Sequence, residues 1–225
     1  HGACRDQFAH AARQIDHELD SATDNPLVVA TEESYRIISN ANPHGASVAM
    51  ACDLLAIAVC EWSSISERRT YRLVTPQASR LPPFLSNDVG VKSGMMIAQY
   101  TAASLVADNK RLAQPAVVDN FLTSGLQEDH LSLGESAALK LDQALDNAFQ
   151  VLAIEYLLAA QAFDLIDDQN FAPGTELAWK TLREVIPFYD EEHPLHQDLQ
   201  TARHLLRDTS RQADFVKLPP TCTLE

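Results

Sequence analysis

The stretch from Leu126 to about Ile166 constrains the fold more than any other part of the chain. It holds no proline and a single glycine, and Ser124-Gly-Leu-Gln127 ahead of it has the spacing of a capping box, Ser at the N-cap and Gln three residues on. This predicts the longest helix, 126–166. Along it Leu141, Leu145, Ala148 and Leu152 trace one apolar stripe, while Val151, Ile154, Leu158 and Ala162 trace another. From Val151 onward the cylinder is therefore apolar nearly all round. A helix of that kind must be enclosed by other helices, from the same chain or from partner copies.

The rest of the chain supplies such helices. Only 7 Gly occur in 225 residues, and long runs are rich in Ala, Leu, Glu, Gln and Arg, the stronger helix formers. Residues 3–20 place Phe8, Ala12 and Ile15 on one face before Thr23-Asp-Asn-Pro26 ends the helix with turn chemistry. Pro26 to Ile38 is β-rich on both sides of Thr31-Glu-Glu-Ser34 and predicts a short hairpin. A helix over 46–73 sets Val48, Cys52, Leu55, Val59 and Trp62 on one side. A Pro-containing loop over 75–92 precedes a helix over 94–112, and the stretch 115–125 is irregular. Two shorter helices, 176–186 and 195–211, flank the acidic turn Asp190-Glu-Glu192. The expected fold is all-α, a long-helix bundle with one short β-hairpin. We expect one helical domain over residues 1–225, and because helical sequence follows His1-Gly2 at once, we expect the polypeptide to start upstream.

Charge narrows the partners. With 17 Lys+Arg against 31 Asp+Glu the formal net charge is −14, so nucleic acid and anionic membrane surfaces are repelled over most of the surface. The apolar run Val151 to Ala160 is broken by Glu155 and falls short of the ~18 residues a membrane span needs. Cys4, Cys52, Cys60 and Cys222 show no C-x-x-C spacing. Two of them lie in an apolar helical run, where free Cys acts as a small hydrophobe. A soluble protein in a reducing, cytoplasmic setting is expected, with no metal.

Several motifs, in this order, carry a resemblance. Ser21-Ala-Thr-Asp-Asn-Pro-Leu-Val28, Asn42-Pro-His-Gly45, Ile65-Ser-Glu-Arg-Arg69, Ser93-Gly-Met-Met-Ile-Ala-Gln99, Asp108-Asn-Lys-Arg-Leu112 and Gln127-Glu-Asp-His-Leu-Ser-Leu-Gly134 together resemble the aromatic amino acid lyase family, nearest to its histidine ammonia-lyase branch. The likeness extends to about Arg207 and weakens after Pro187. It implies the C-terminal half of an ammonia-lyase and a homotetramer of stacked long helices whose sites are shared between subunits. The implied reaction is loss of ammonia from L-histidine to give urocanate.

Losing ammonia from an α-amino acid takes a base for a weakly acidic β-proton and an electrophile for a poor leaving group. The family's electrophile is a methylidene-imidazolone made from an internal Ala-Ser-Gly, a string absent from these 225 residues. The resemblance also places the family's catalytic tyrosines and carboxylate-clamping arginine before His1. The chain alone is expected to be inactive.

What it retains, on this resemblance, is part of the substrate pocket. Glu128 stands where histidine lyases carry Glu and phenylalanine or tyrosine lyases carry Gln, and a carboxylate suits an imidazole N–H. It is the catalytic candidate. Its bland alternative is an acid in a first helical turn, favoured by the helix dipole.

Asn42, Pro43 and His44 are the substrate-binding candidates, His44 having a purely structural alternative. Pro43 stands where the family has Phe, Lys92 where Asn is common and Gln114 where His is common. The Pro43 departure bears on efficient catalysis or the histidine preference, and the other two mean that the loops bordering the pocket also differ. Asp24-Asn-Pro26 and Glu67-Arg-Arg69 read as a turn and an ion-pair cluster. Asp129 and His130 beside Glu128 are not read as a metal site, because neighbours on a helix diverge by ~100°. The competing functions are a lyase-like, non-catalytic helical oligomerisation module and a lyase for tyrosine or phenylalanine. The Ser-rich G-S-S-x-M-P-x-K-x-N signature of the fumarase and aspartase superfamily is absent.

Overall fold

The computed structural model describes residues 1–118, 120–167 and 172–208. The expected end of the last helix at Arg211, and Cys222, lie outside these residues. In order the elements are α1 (Gly2–Leu19), β1 (Leu27–Ala30), β2 (Tyr35–Ile38), α2 (Ala46–Val74), α3 (Pro76–Ser79), a 3-10 turn (Pro83–Leu85), α4 (Met96–Leu112), a second 3-10 turn (Ser124–Leu126), α5 (Gly134–Asp164), α6 (Pro173–Arg183) and α7 (His196–Arg207). The fold is predominantly helical, and among the described residues a single hairpin pairs Leu27 with Ile38 through Ala30 with Tyr35.

The chain divides into two compact units, residues 1–62 with 108–145 and residues 63–107 with 146–225. The first unit holds α1, the hairpin, the start of α2 and the start of α5. Its core is small: Ala49, Cys52 and Ala137 are buried, with Val48, Ala116, Val117 and Leu141 packed on them. Phe8 of α1 stacks on Trp62 with ring centroids 4.9 Å apart. The turn ahead of the hairpin is tied to its exit, since Asn40 N–H donates to Asn25 Oδ1 (3.1 Å) and Asn40 Nδ2 to the Asp24 carbonyl (3.1 Å).

The second unit carries the larger core. Val151, Ile154, Leu157 and Leu158 of α5 are buried with Ala98, Ala102 and Val106 of α4, Leu182 of α6, and Leu199 and Ala202 of α7. The stripe through Val151, Ile154, Leu158 and Ala162 is thus the enclosed one, while Leu152 of the other stripe remains 40% exposed.

Glu155, the charge that interrupts this apolar run, is matched. Its Oε2 accepts from Ser66 Oγ (2.5 Å) and from Arg69 Nη2 (2.7 Å). Glu67 is buried, with Arg68 and Gln99 as donors. Gln161 is also buried and bonds both ways with the Tyr189 backbone at 3.0 Å. These polar groups in the core therefore have the partners that burial demands.

Three local expectations change. Residues 75–92 contain α3 and a 3-10 turn as well as loop. Among the described residues α2, not the 151–160 run, is the helix long and apolar enough to cross a membrane; Asp53 and Glu67 within it are both buried and bonded.

The longest helix also begins at Gly134 rather than Leu126. The Ser124–Gln127 capping box does not form, because Ser124, Gly125 and Leu126 all take positive φ (53°, 63° and 74°) and Leu133 does so again at 53°. A capping residue needs extended φ/ψ ahead of a right-handed turn. Gly125 at the centre of the run makes the left-handed turn accessible.

Candidate active site

The four candidate residues all lie in the first unit, on two segments. Asn42, Pro43 and His44 form the turn between the hairpin and α2. Asn42 is held at both ends, its N–H donating to Asn40 Oδ1 (2.8 Å) and its Nδ2 to the Ala22 carbonyl (2.9 Å). Its amide is thereby spent on shaping the turn. Pro43 is exposed, and His44 is half-buried.

Glu128 lies on the second segment, in the long connection between α4 and α5. It is exposed and outside any helix, so the reading of it as a first-turn acid stabilised by a helix dipole falls. Its backbone is fixed by an antiparallel bridge to Thr123, with Thr123 N–H donating to the Glu128 carbonyl at 3.0 Å. The same geometry removes the helix-based ground for dismissing Asp129 and His130 as ligands. Among the described residues, however, no group of three or more His, Cys, Asp or Glu side chains could hold a metal ion.

His44 joins the two segments. Its Nε2 lies 3.0 Å from the His130 carbonyl, and the two imidazoles stack at 5.0 Å with planes 15° apart. A carbonyl only accepts, so Nε2 carries the proton and, in a neutral ring, Nδ1 is left as an acceptor. Gly45 lies close to the second segment as well, the nearest side-chain atom to a Cβ built there being Ser132 Oγ at 3.4 Å, an ordinary van der Waals distance. Asn42, Pro43 and His44 are thus brought beside the loop that presents Glu128, with His130 two residues away from it.

The sequence motifs do not point to the groups that hold that loop. Asn120 Nδ2 donates to the Leu131 carbonyl (2.8 Å), and Leu131 N–H returns a bond to Asn120 Oδ1 (3.1 Å). Asp53, buried on α2, accepts from the Ala116 and Val117 N–H groups and from Lys140 Nζ. Lys140 also donates to the Gln114 carbonyl. The available signal is Asp53 itself, an acid set in the apolar run between Val48 and Val59, where a charge survives only with partners.

Of the departures, Gln114 uses its backbone in this cluster. Lys92 belongs to the other unit, where Nζ donates to the Asp190 carbonyl at 2.7 Å.

The arrangement offers an exposed carboxylate and an imidazole oriented by the His130 carbonyl. The electrophile that ammonia loss requires is not among its groups, since the sequence holds no Ala-Ser-Gly.

The sequence model of the family described as aromatic amino acid lyase matches residues 1–184. A histidine ammonia-lyase of Symbiobacterium thermophilum is 46% identical over 208 residues, 92% of this chain and 41% of that protein. The crystal structure of histidine ammonia-lyase from Trypanosoma cruzi superposes with a TM-score of 0.90 at 38% identity, over 96% of this chain and 42% of that one. Tyrosine aminomutase from Streptomyces globisporus gives 0.86 at 32%, over 95% and 40%. The chain thus spans about two fifths of the length of the relatives it matches. With the motifs, the helical fold and the family match running through the same residues, the chain belongs to the aromatic amino acid lyase family.

Proposed function

We propose that these residues form the substrate-shaping part of a histidine ammonia-lyase, converting L-histidine to urocanate and ammonia. In that reaction the β-proton goes to a base, the C–N bond breaks with its electrons leaving on nitrogen, and a C=C bond forms. Glu128 is the residue of this chain that meets the substrate, its carboxylate accepting the imidazole N–H. His44, tethered to the His130 carbonyl, lines the same pocket with Asn42 and Pro43.

The observation that carries the reading is the exposed Glu128 on a loop fastened to the His44 turn. The family's electrophile, a methylidene-imidazolone, needs an Ala-Ser-Gly that these 225 residues do not contain. The chain by itself is therefore proposed to be inactive.

A cytoplasmic homotetramer is part of the proposal. Support for assembly comes from apolar side chains left exposed on the hairpin, Val28, Tyr35 and Ile37, and from Leu152 on α5; the net charge of −14 favours neither nucleic acid nor membrane as a partner. The same exposed surface also suits a second reading, a lyase-like oligomerisation module without catalysis. Pro43, in place of an aromatic ring, is the residue that favours it or a preference for tyrosine or phenylalanine.

The deciding experiment follows urocanate absorbance from L-histidine for this chain alone and for the chain joined to upstream sequence bearing Ala-Ser-Gly. Turnover in the joined form only is expected. No turnover in a folded, assembled joined form would overturn the histidine reading, and tyrosine and phenylalanine would then be assayed in its place.

A further inference from the structure

We propose that Asp53 is a positioning residue for Glu128, fixing from 75 positions away in sequence the loop that presents the catalytic carboxylate; this rests on the function proposed above. Asp53 is 4% exposed, and both of its oxygens are engaged. Oδ2 accepts from the Ala116 N–H (2.7 Å) and the Val117 N–H (2.9 Å), and Oδ1 accepts from Lys140 Nζ (2.9 Å). Lys140, on α5, also donates to the Gln114 carbonyl. One ion pair, its carboxylate buried and its ammonium half-buried, thus ties α2 and α5 to residues 114–117, where the connection leaves α4.

Three further contacts hold the chain beyond that anchor. Asn120 and Leu131 exchange two hydrogen bonds, Thr123 and Glu128 pair their backbones, and the His130 carbonyl faces His44 Nε2. Glu128 forms one end of the Thr123 pairing, lies between Asn120 and Leu131 and precedes His130 by two residues, and its own side chain remains exposed.

A buried carboxylate paired with a half-buried ammonium gains little stability over apolar residues of equal volume. What the pair adds is direction: an acceptor aimed at two successive backbone N–H groups fixes the course of the chain there. Exposed loop backbone without such a hold samples many conformations.

The test uses the whole protein, upstream sequence included, as wild type, Asp53→Asn, Glu128→Gln and the double variant. Amide hydrogen exchange is followed for peptides covering 120–133 and, as control, 146–164. Asp53→Asn is expected to speed exchange over 120–133 by about tenfold or more and to leave 146–164 unchanged. Its kcat/KM for L-histidine should fall on the order of 10- to 100-fold, the scale on which misplacing a reacting group costs rate. The double variant should be no slower than Glu128→Gln alone, because Asp53 acts only through Glu128.

Unchanged exchange over 120–133, or losses that multiply in the double variant, would overturn the proposal. If Asp53→Asn does not fold, the pair Asp53→Leu with Lys140→Met removes both charges together, and the same two criteria apply to it. A wild type without histidine turnover sinks the proposed function, and the exchange comparison still decides whether Asp53 holds the loop.

Discussion

The stretch of α5 from Val151 to Ala162 and the loop from Asn120 to Leu133 lie close together in sequence and are held by opposite means. The helix is fixed by apolar burial on the side that carries Val151, Ile154 and Leu158, a force without direction that tolerates any close-packed filling of about the right volume. The loop buries almost nothing, and its residues from Ser124 to His130 are exposed. Its course is set by a few directed hydrogen bonds to Asn120, Thr123 and His44. Stability therefore resides in the first region and the candidate chemistry in the second, so the two should respond differently to substitution.

The largest effect is expected in the helix. Leu158→Ala removes a fully buried side chain and should cost about 2–5 kcal/mol in denaturant unfolding; a loss below about 1 kcal/mol would mean that apolar burial is not what holds this region. Arg69→Met sharpens the comparison by testing the polar group inside the apolar stretch. It leaves Glu155 with Ser66 but without its cation, and about 1–3 kcal/mol should be lost.

Glu128→Gln should move stability by no more than about 0.5 kcal/mol, as for an exposed position, while abolishing most histidine turnover of the whole protein. A matching loss of stability would break the division between the two regions.

The smallest effect is a pH dependence. His193 Nε2 lies 2.8 Å from Asp198 Oδ2 and Nδ1 lies 3.0 Å from the Glu191 carbonyl, two acceptors that only the imidazolium satisfies together. The Asp198 hydrogen bond first and the Glu191 carbonyl second raise its pKa above the ordinary 6.5, against a small opposing effect of burial. Because the folded pKa exceeds the unfolded one, the stabilisation is complete below about pH 6.5 and fades as pH rises through the folded value. The ring is largely solvated, so the contribution is small. Thermal melts from pH 5 to 9 should show a shallow decline across that window that His193→Asn removes; identical profiles for the two proteins would show that His193 does not report on folding.

What can be read from the sequence follows the same division. The enclosed stripe of α5 and the spans of α2 and α4 follow from periodicity, because burial acts on every third or fourth residue and leaves a repeating trace; the hairpin, whose strands are almost wholly exposed, follows from β-rich residues on both sides of a polar turn. The capping-box spacing of Ser124 and Gln127 points to helix over 126–133, whereas the structure there is decided by positive φ at Ser124, Gly125 and Leu126, which spacing does not record. Glu128, His44, Asn42 and Pro43 are picked out as candidates by the family's motifs. Asp53, Lys140 and Asn120 are not, since their roles arise from contacts 63, 26 and 11 residues distant in sequence. Only an acid amid apolar neighbours hints at them.

The late start of α5 has a bearing on how such a protein can change. Had the helix begun at Leu126, Glu128 would have stood six residues ahead of Gly134 on a rigid rod, roughly 9 Å out along its axis, and any adjustment of the carboxylate would have rotated or shifted packed side chains with it. Hung instead on a loop that starts and finishes at the same pair of residues, Asn120 and Leu131, Glu128 can be replaced or re-aimed by changes confined to that loop. On the function proposed above, substrate preference could then drift over generations of mutation while the helical scaffold stays as it is.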